Sequence, residues 1–158
     1  MLKTTALLLV GATMLGACAS SPTPATIADT AARTPQLSTL AKLINDAGLA
    51  DTLRGPGPYT VFAPSDAAFK AVPAKSLDEL TKDKELLKSV LTFHVLPGNM
   101  PAAEFKTGSA KTVQGANVAL SRAGTFVTVE DAVVTQADVK ASNGVVHVID
   151  RVLIPPKR

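Results

Sequence analysis

The residues able to do chemistry are few and widely spaced. There are two histidines, His94 and His147, lying 53 positions apart, and one cysteine, Cys18. Neither histidine has a second ligand at i+2, i+3 or i+4 on its own element, which a zinc site ordinarily needs. A hydrolase would require Ser65 as nucleophile, His94 as base and Asp66 or Asp150 as orienting acid. No Gly-x-Ser-x-Gly elbow surrounds Ser65, and Ser65 already has a role as a helix cap. The glycines form no phosphate-cradling run. The carboxylate pairs Asp78-Glu79 and Glu130-Asp131 are adjacent in sequence, so their side chains diverge into solvent. These residue types predict a chain without catalytic machinery, metal or cofactor. Both histidines are expected to hydrogen-bond within the core.

The elements that would position these groups begin with Gly57 to Phe69. Tyr59 to Ala63 is a run of β-formers, with Thr60 and Phe62 on one face and Tyr59 and Val61 on the other. Pro64 ends it, because it offers no N–H to a ladder. Ser65 caps the helix that follows, Asp66 meets the positive end of its dipole, and Phe69 folds it back on the strand.

Before this corner, Thr26 to Ala32 reads as a short helix broken by Pro35, and Ser38 as the cap of a helix carrying Leu40, Leu43, Ile44 and Ala47. Gly48 ends that helix, and Leu49 to Arg54 adds a further turn. After the corner, Ser76 is expected to cap a brief helix. Asp83 opens a longer one over 84–93, with Leu86, Leu87, Val90, Leu91 and Phe93 inward. The remainder is β-rich at 111–114, 116–122, 125–130, 132–135 and 145–149, with Val118, Leu120, Phe126 and Val127 as core positions. Helices followed by strands predict an α+β fold.

Three segments in this order resemble the fasciclin-like (FAS1) domain. Thr60-Val61-Phe62-Ala63-Pro64-Ser65-Asp66-Ala67-Ala68-Phe69 is similar to its first signature. Gly144-Val145-Val146-His147-Val148-Ile149-Asp150, continuing to Pro155, is similar to its second. Phe93-His94-Val95-Leu96-Pro97-Gly98 resembles its central tyrosine–histidine segment, with phenylalanine where tyrosine is usual. The resemblance spans about residues 25 to 156. It implies helices followed by a twisted sheet, with the last strand returning beside Tyr59 to Ala63. It further implies an adhesive rather than enzymatic role, and points to Phe93, His94, Val95 and Leu96 as a partner-binding face.

The N-terminal stretch has Lys3, then an apolar run from Ala6 to Leu15, too short for a comfortable bilayer span of roughly 20 residues. Leu15-Gly16-Ala17-Cys18 resembles a bacterial lipobox, which implies cleavage before Cys18 and lipid on its sulfur. At about 0.8 kcal/mol per buried methylene, two or three acyl chains would hold the protein permanently. The alternative is a soluble secreted protein with Cys18 as a spare thiol. The expected organisation is a signal peptide over 1–17, a tether over 18–25 and a domain over 26–156. Ala19, not an acidic residue, follows Cys18, which resembles cargo sent to an outer membrane.

Composition narrows the partners. The formal charge of +3 on 158 residues, without interleaved aromatics, argues against nucleic acid. An envelope protein or matrix polysaccharide is the expected partner. A carrier of an apolar pigment- or lipid-like molecule is the alternative, although five Phe, one Tyr and no Trp give little with which to line a large pocket.

Overall fold

The computed structural model describes residues 25–155. The expected signal peptide, Cys18, all of the tether but Ala25, and Pro156 lie outside the described residues. The described residues open with three helices, α1 (Ile27–Arg33), α2 (Ser38–Asp46) and α3 (Ala50–Arg54), with a 3-10 turn at Pro35–Leu37 between the first two. β1 (Tyr59–Pro64) follows, then α4 (Asp66–Ala71), α5 (Ala74–Lys82) and α6 (Lys84–Phe93). Strands β2 (Val95–Pro97), β3 (Gly108–Lys111), β4 (Asn117–Ala123), β5 (Phe126–Val129), β6 (Ala132–Ala141) and β7 (Gly144–Ile149) complete the chain.

Three helices, α1, α4 and α6, start on a side-chain cap. Thr26 and Asp29 form a reciprocal capping box on α1. The Ser65 hydroxyl accepts from the Ala68 amide at 3.2 Å, and the Asp83 carboxylate accepts from the amides of Glu85 and Leu86. Two expected caps are different. Ser38 is the first residue of α2 and donates its hydroxyl to Asp66 at 2.8 Å, while Ser76 lies inside α5, which starts after Pro73. Asp66 also accepts from the Thr39 amide at 2.8 Å, so it ties α4 to the start of α2 as well as meeting its own helix dipole.

The strands form one sheet in the order β2-β1-β7-β6-β5-β4-β3. The β1–β7 pair is parallel and all others are antiparallel. The Val113 amide donates to the Val95 carbonyl at 2.8 Å, so the two ends of the sheet approach one another in a barrel-like curl. Two cores result. Val61 and Ala63 of β1 and Val146 and Val148 of β7 face the helices and join Leu37, Leu40, Leu43, Ile44, Leu87 and Leu91. Phe62 and Ile149 face the other way, into the curl, with Phe93, Leu96, Phe105, Val118, Leu120, Val127 and Val129. The alternation of one strand pair therefore serves both cores.

Gly144 is where the pair begins. It stands opposite Tyr59, and a Cβ there would collide with the Tyr59 carbonyl oxygen, so only glycine admits this approach.

Several inward assignments are corrected. Phe126 is 69% exposed, because it neighbours Val127 on one strand and adjacent side chains point to opposite faces. Leu86 is 38% exposed, at the edge of the apolar stripe of α6. The strand expected at 111–114 lies instead at Gly108–Lys111, and β6 runs on to Ala141.

Candidate functional site

Phe93, His94, Val95 and Leu96 are all buried, none more than 5% exposed. The α6–β2 junction enters the interior, with Phe93 and Leu96 inside the curl and Val95 under the helices. The expected binding face is therefore corrected to a core segment, of which Phe93 contributes only part of one recess wall.

His94 occupies the C-terminal cap of α6. Its Nδ1 lies 2.7 Å from the Val90 carbonyl, and its Nε2 lies 3.0 Å from the Leu153 amide. A carbonyl only accepts and an amide N–H only donates, so the ring is neutral with its proton on Nδ1. Burial pushes its pKa down from 6.5 to about 4, partly opposed by the bond to Val90. The His94 carbonyl also accepts from the Phe62 amide at 2.9 Å, which links this cap to β1.

His147 projects from β7 into the curl, wholly buried beside Phe62 and Phe105, at ring-centroid distances of 5.8 and 5.1 Å. Its Nδ1 accepts from the Asp138 amide at 3.2 Å and its Nε2–H donates to the Met100 carbonyl at 3.0 Å. This ring is also neutral, but as the opposite tautomer. Burial lowers its pKa, while the bond to Met100 and the charge of Asp138 act to raise it.

The hydrolase assembly is not formed. Ser65 accepts from Ala68, Asp66 from Ser38 and Thr39, and Asp150 from the Val133 amide at 2.7 Å, while both nitrogens of His94 are bonded to backbone. Among the described residues no group of three or more His, Cys, Asp or Glu is arranged to hold a metal ion. Thr60 and Pro64 of the first signature also have structural work. The Thr60 hydroxyl donates to the Gly98 carbonyl and accepts from the Met100 amide, and Pro64 pairs in register with Ile149 at the end of the β1–β7 ladder.

These features, a capped strand-to-helix corner, a parallel return strand and two histidines on backbone, are scaffold. A profile described as Fasciclin domain matches residues 35–155. The chain belongs to the fasciclin domain family. Among relatives, Protein sll1483 of a Synechocystis species is 39% identical over 140 residues, covering 87% of this chain and 78% of the relative. The cell surface glycolipoprotein MPB83 of Mycobacterium bovis is 41% identical over 135 residues, covering 82% of this chain and 60% of the relative. The immunogenic protein MPB70 of the same organism is 39% identical over 135 residues, covering 82% and 69% respectively. A solved FAS1 domain pair from the insect cell adhesion molecule Fasciclin I superposes with a TM-score of 0.62 at 25% identity, over 76% of this chain and 46% of that one.

The surface of this fasciclin domain offers recesses at two poles, the two ends of the β1–β7 ladder. At the Gly144 end lies a groove of about 750 Å³ between Pro56–Pro58, Asn99, Pro101 and the β6–β7 hairpin. The Asn143 side chain fixes that hairpin, accepting from the Ile27 amide and donating to the carbonyls of Leu53 and Gly55. Gly144 opens the second signature in the sequence, whereas the three bonds of Asn143 depend on partners far away along the chain. At the Ile149 end, recesses of about 480 and 370 Å³ share Arg151, Val152 and Ile154, and Ile154 is 64% exposed. A further space, apolar and about 50 Å³, lies among α2, α3, β1 and α6 and is lined by Leu40, Ile44, Val61 and Leu91. It is far below the ~300 Å³ at which small-molecule sites begin, so the pigment-carrier alternative finds no support in it.

Proposed function

We propose that this fasciclin domain is a lipid-anchored, non-enzymatic cell-surface module that binds an envelope protein or matrix polysaccharide at the pole opposite its anchor. The single observation that carries the reading is at residue 25. The Ala25 carbonyl accepts from the Ser142 amide at 2.9 Å, so the chain enters the domain at the Gly144 pole. From Cys18 to Ala25 is seven residues, at most ~25 Å of extended chain. A lipid on Cys18 would hold the Gly144 pole toward the membrane.

β1 and β7 each run six residues away from that pole, about 20 Å at ~3.3 Å per residue. They end beside Asp150, Arg151 and Ile154. An exposed isoleucine between two recesses, with a guanidinium and the carboxylates of Glu130 and Asp131 nearby, suits a protein contact with an apolar centre and a polar rim. The cell surface glycolipoprotein among the relatives supports a surface location.

The experiment has two arms. Mass spectrometry of the mature N-terminus should find a diacylglyceryl-modified Cys18, and Cys18→Ser should leave the membrane fraction. Cross-linking in the envelope should then recover a partner with the wild type and lose it with an Ile154→Asp/Arg151→Glu double variant. An unmodified N-terminus would contradict the anchor, and equal recovery by the two proteins would contradict the proposed face.

A further inference from the structure

The groove at the Gly144 pole has walls from two different parts of the chain. One is the loop through Asn99 and Pro101, and the other is β6 from Asp138 onward. The loop is also held to β1 by Thr60, whose hydroxyl donates to Gly98 and accepts from Met100. The two walls are joined to each other by His147 and by Asp138. The imidazole accepts from the Asp138 amide on one side and donates to the Met100 carbonyl on the other, while an Asp138 carboxylate oxygen accepts from the Ala102 amide at 2.8 Å. Asp138 stands at φ 56, within the irregular stretch where β6 loses register with β7 between Gln136 and Val139. Such a bulge depends on side-chain bonds, because the regular ladder is interrupted there.

We propose that His147 is an acid-sensitive staple across this groove, and that proton uptake at Nδ1 rearranges the Asp138 wall. In the neutral ring Nδ1 is the acceptor for the Asp138 amide; once protonated it is a second donor, and two donors face each other. Asp138 is the carboxylate whose charge acts on the ring, and one of its oxygens holds the Ala102 amide, so a turn toward the imidazolium disturbs that bond. Both links on the Asp138 side then change together, while Nε2–H keeps its bond to Met100.

Among the described residues the charge that acts on the ring is that of Asp138, while Lys140 lies farther along the same groove wall. β1 presents Phe62 to the ring, and the loop presents the Met100 carbonyl and the Phe105 ring. Asp138 is the charged group facing it from β6. His94 belongs to the opposite case, since its partners are the α6 backbone and Leu153 and it touches neither groove wall.

The test is a nitrogen-15 NMR titration of the described domain with its N-terminal region attached and Cys18→Ser to keep it in solution, from pH 7.5 to 4. The His147 ring should pass from the Nε2–H tautomer to imidazolium while the chemical shifts of the Asp138 and Ala102 amides move with the same midpoint. Protection of the Asp138 amide from exchange, corrected for intrinsic rate, should fall about tenfold across that midpoint. His147→Gln, which supplies an acceptor and a donor without titrating, should remove both changes. Asp138→Asn should keep the ring titration but abolish the paired response at Ala102. Amides that titrate unchanged in His147→Gln, or that stay still while the ring titrates, would overturn the proposal. So would a ring that remains neutral until the whole domain unfolds. If His147→Gln does not fold, the midpoints of ring and amides within the wild type decide the matter: coincident midpoints support it and separate ones overturn it.

Discussion

His94 and His147 carry the same ring into the same interior and end in opposite protonation patterns. His94 holds its proton on Nδ1 because a helix carbonyl lies there, and takes the Leu153 amide at Nε2. His147 takes the Asp138 amide at Nδ1 and gives its Nε2 proton to Met100. The first ring joins pieces of regular core, a helix end and the closing segment of the chain. The second joins an irregular strand to a loop, and both of those line a groove. Burial keeps each ring neutral, but only the second has a carboxylate within its field. Identical side chains thus do different work according to whether their backbone partners are themselves fixed.

The largest expected effect removes the frame that both share. Gly144→Ala should cost about 4 kcal/mol or more, because the new methyl meets the Tyr59 backbone where the parallel ladder begins. Failure to express as folded protein, or a collapsed urea midpoint, would register it. Next, His94→Ala should cost about 3–4 kcal/mol in urea denaturation, since it leaves Val90 and Leu153 groups unpaired beside a new void. His147→Gln should cost well under half of that, because the amide can satisfy both of the ring's partners. Equal losses would erase the distinction between the two rings.

A pH series sharpens the same contrast. The unfolded chain takes up a proton on His94 near 6.5, whereas the folded ring resists until about 4. Stability from this group is therefore intact above pH 6.5 and is lost as pH falls toward 4, by on the order of 3 kcal/mol. His147 is shifted in the same direction and adds to the loss below 6.5. Urea midpoints measured from pH 7.5 to 4 should fall steadily, and a folded His94→Gln variant should flatten the slope more than His147→Gln. The smallest effect is Ser65→Ala, about 1 kcal/mol for the lost cap on α4, with a pH profile parallel to the wild type.

The corner from Tyr59 to Phe69 was legible because each residue type has one local job there: β-formers, a proline stop, a serine cap. The α+β order and the return of the last strand followed from period and from resemblance. What could not be read depended on partners distant in sequence. β2 is three residues long and exists because β1 lies beside it, so Val95–Pro97 carries no periodic signal of its own. Gly108-Ser-Ala-Lys is a strand because β4 pairs with it, not because its residues favour one. β6 extends past Thr135 through a bulge that interrupts the alternation. Ser38 looked like a cap but is claimed by Asp66, 28 positions on. The apolar run at Phe93–Leu96 was visible, yet only the packing of α6 against both cores decides that it is interior. The groove and its staple were invisible for the same reason, since His147, Asp138 and Met100 meet only after the sheet curls.

Both histidines are neutral, fully bonded pins rather than chemical groups, and one measurement reaches that directly. A long-range proton–nitrogen correlation spectrum of the two imidazoles at pH 7.5 should show His94 protonated on Nδ1 alone and His147 on Nε2 alone. A charged ring, or the same tautomer at both positions, would contradict it.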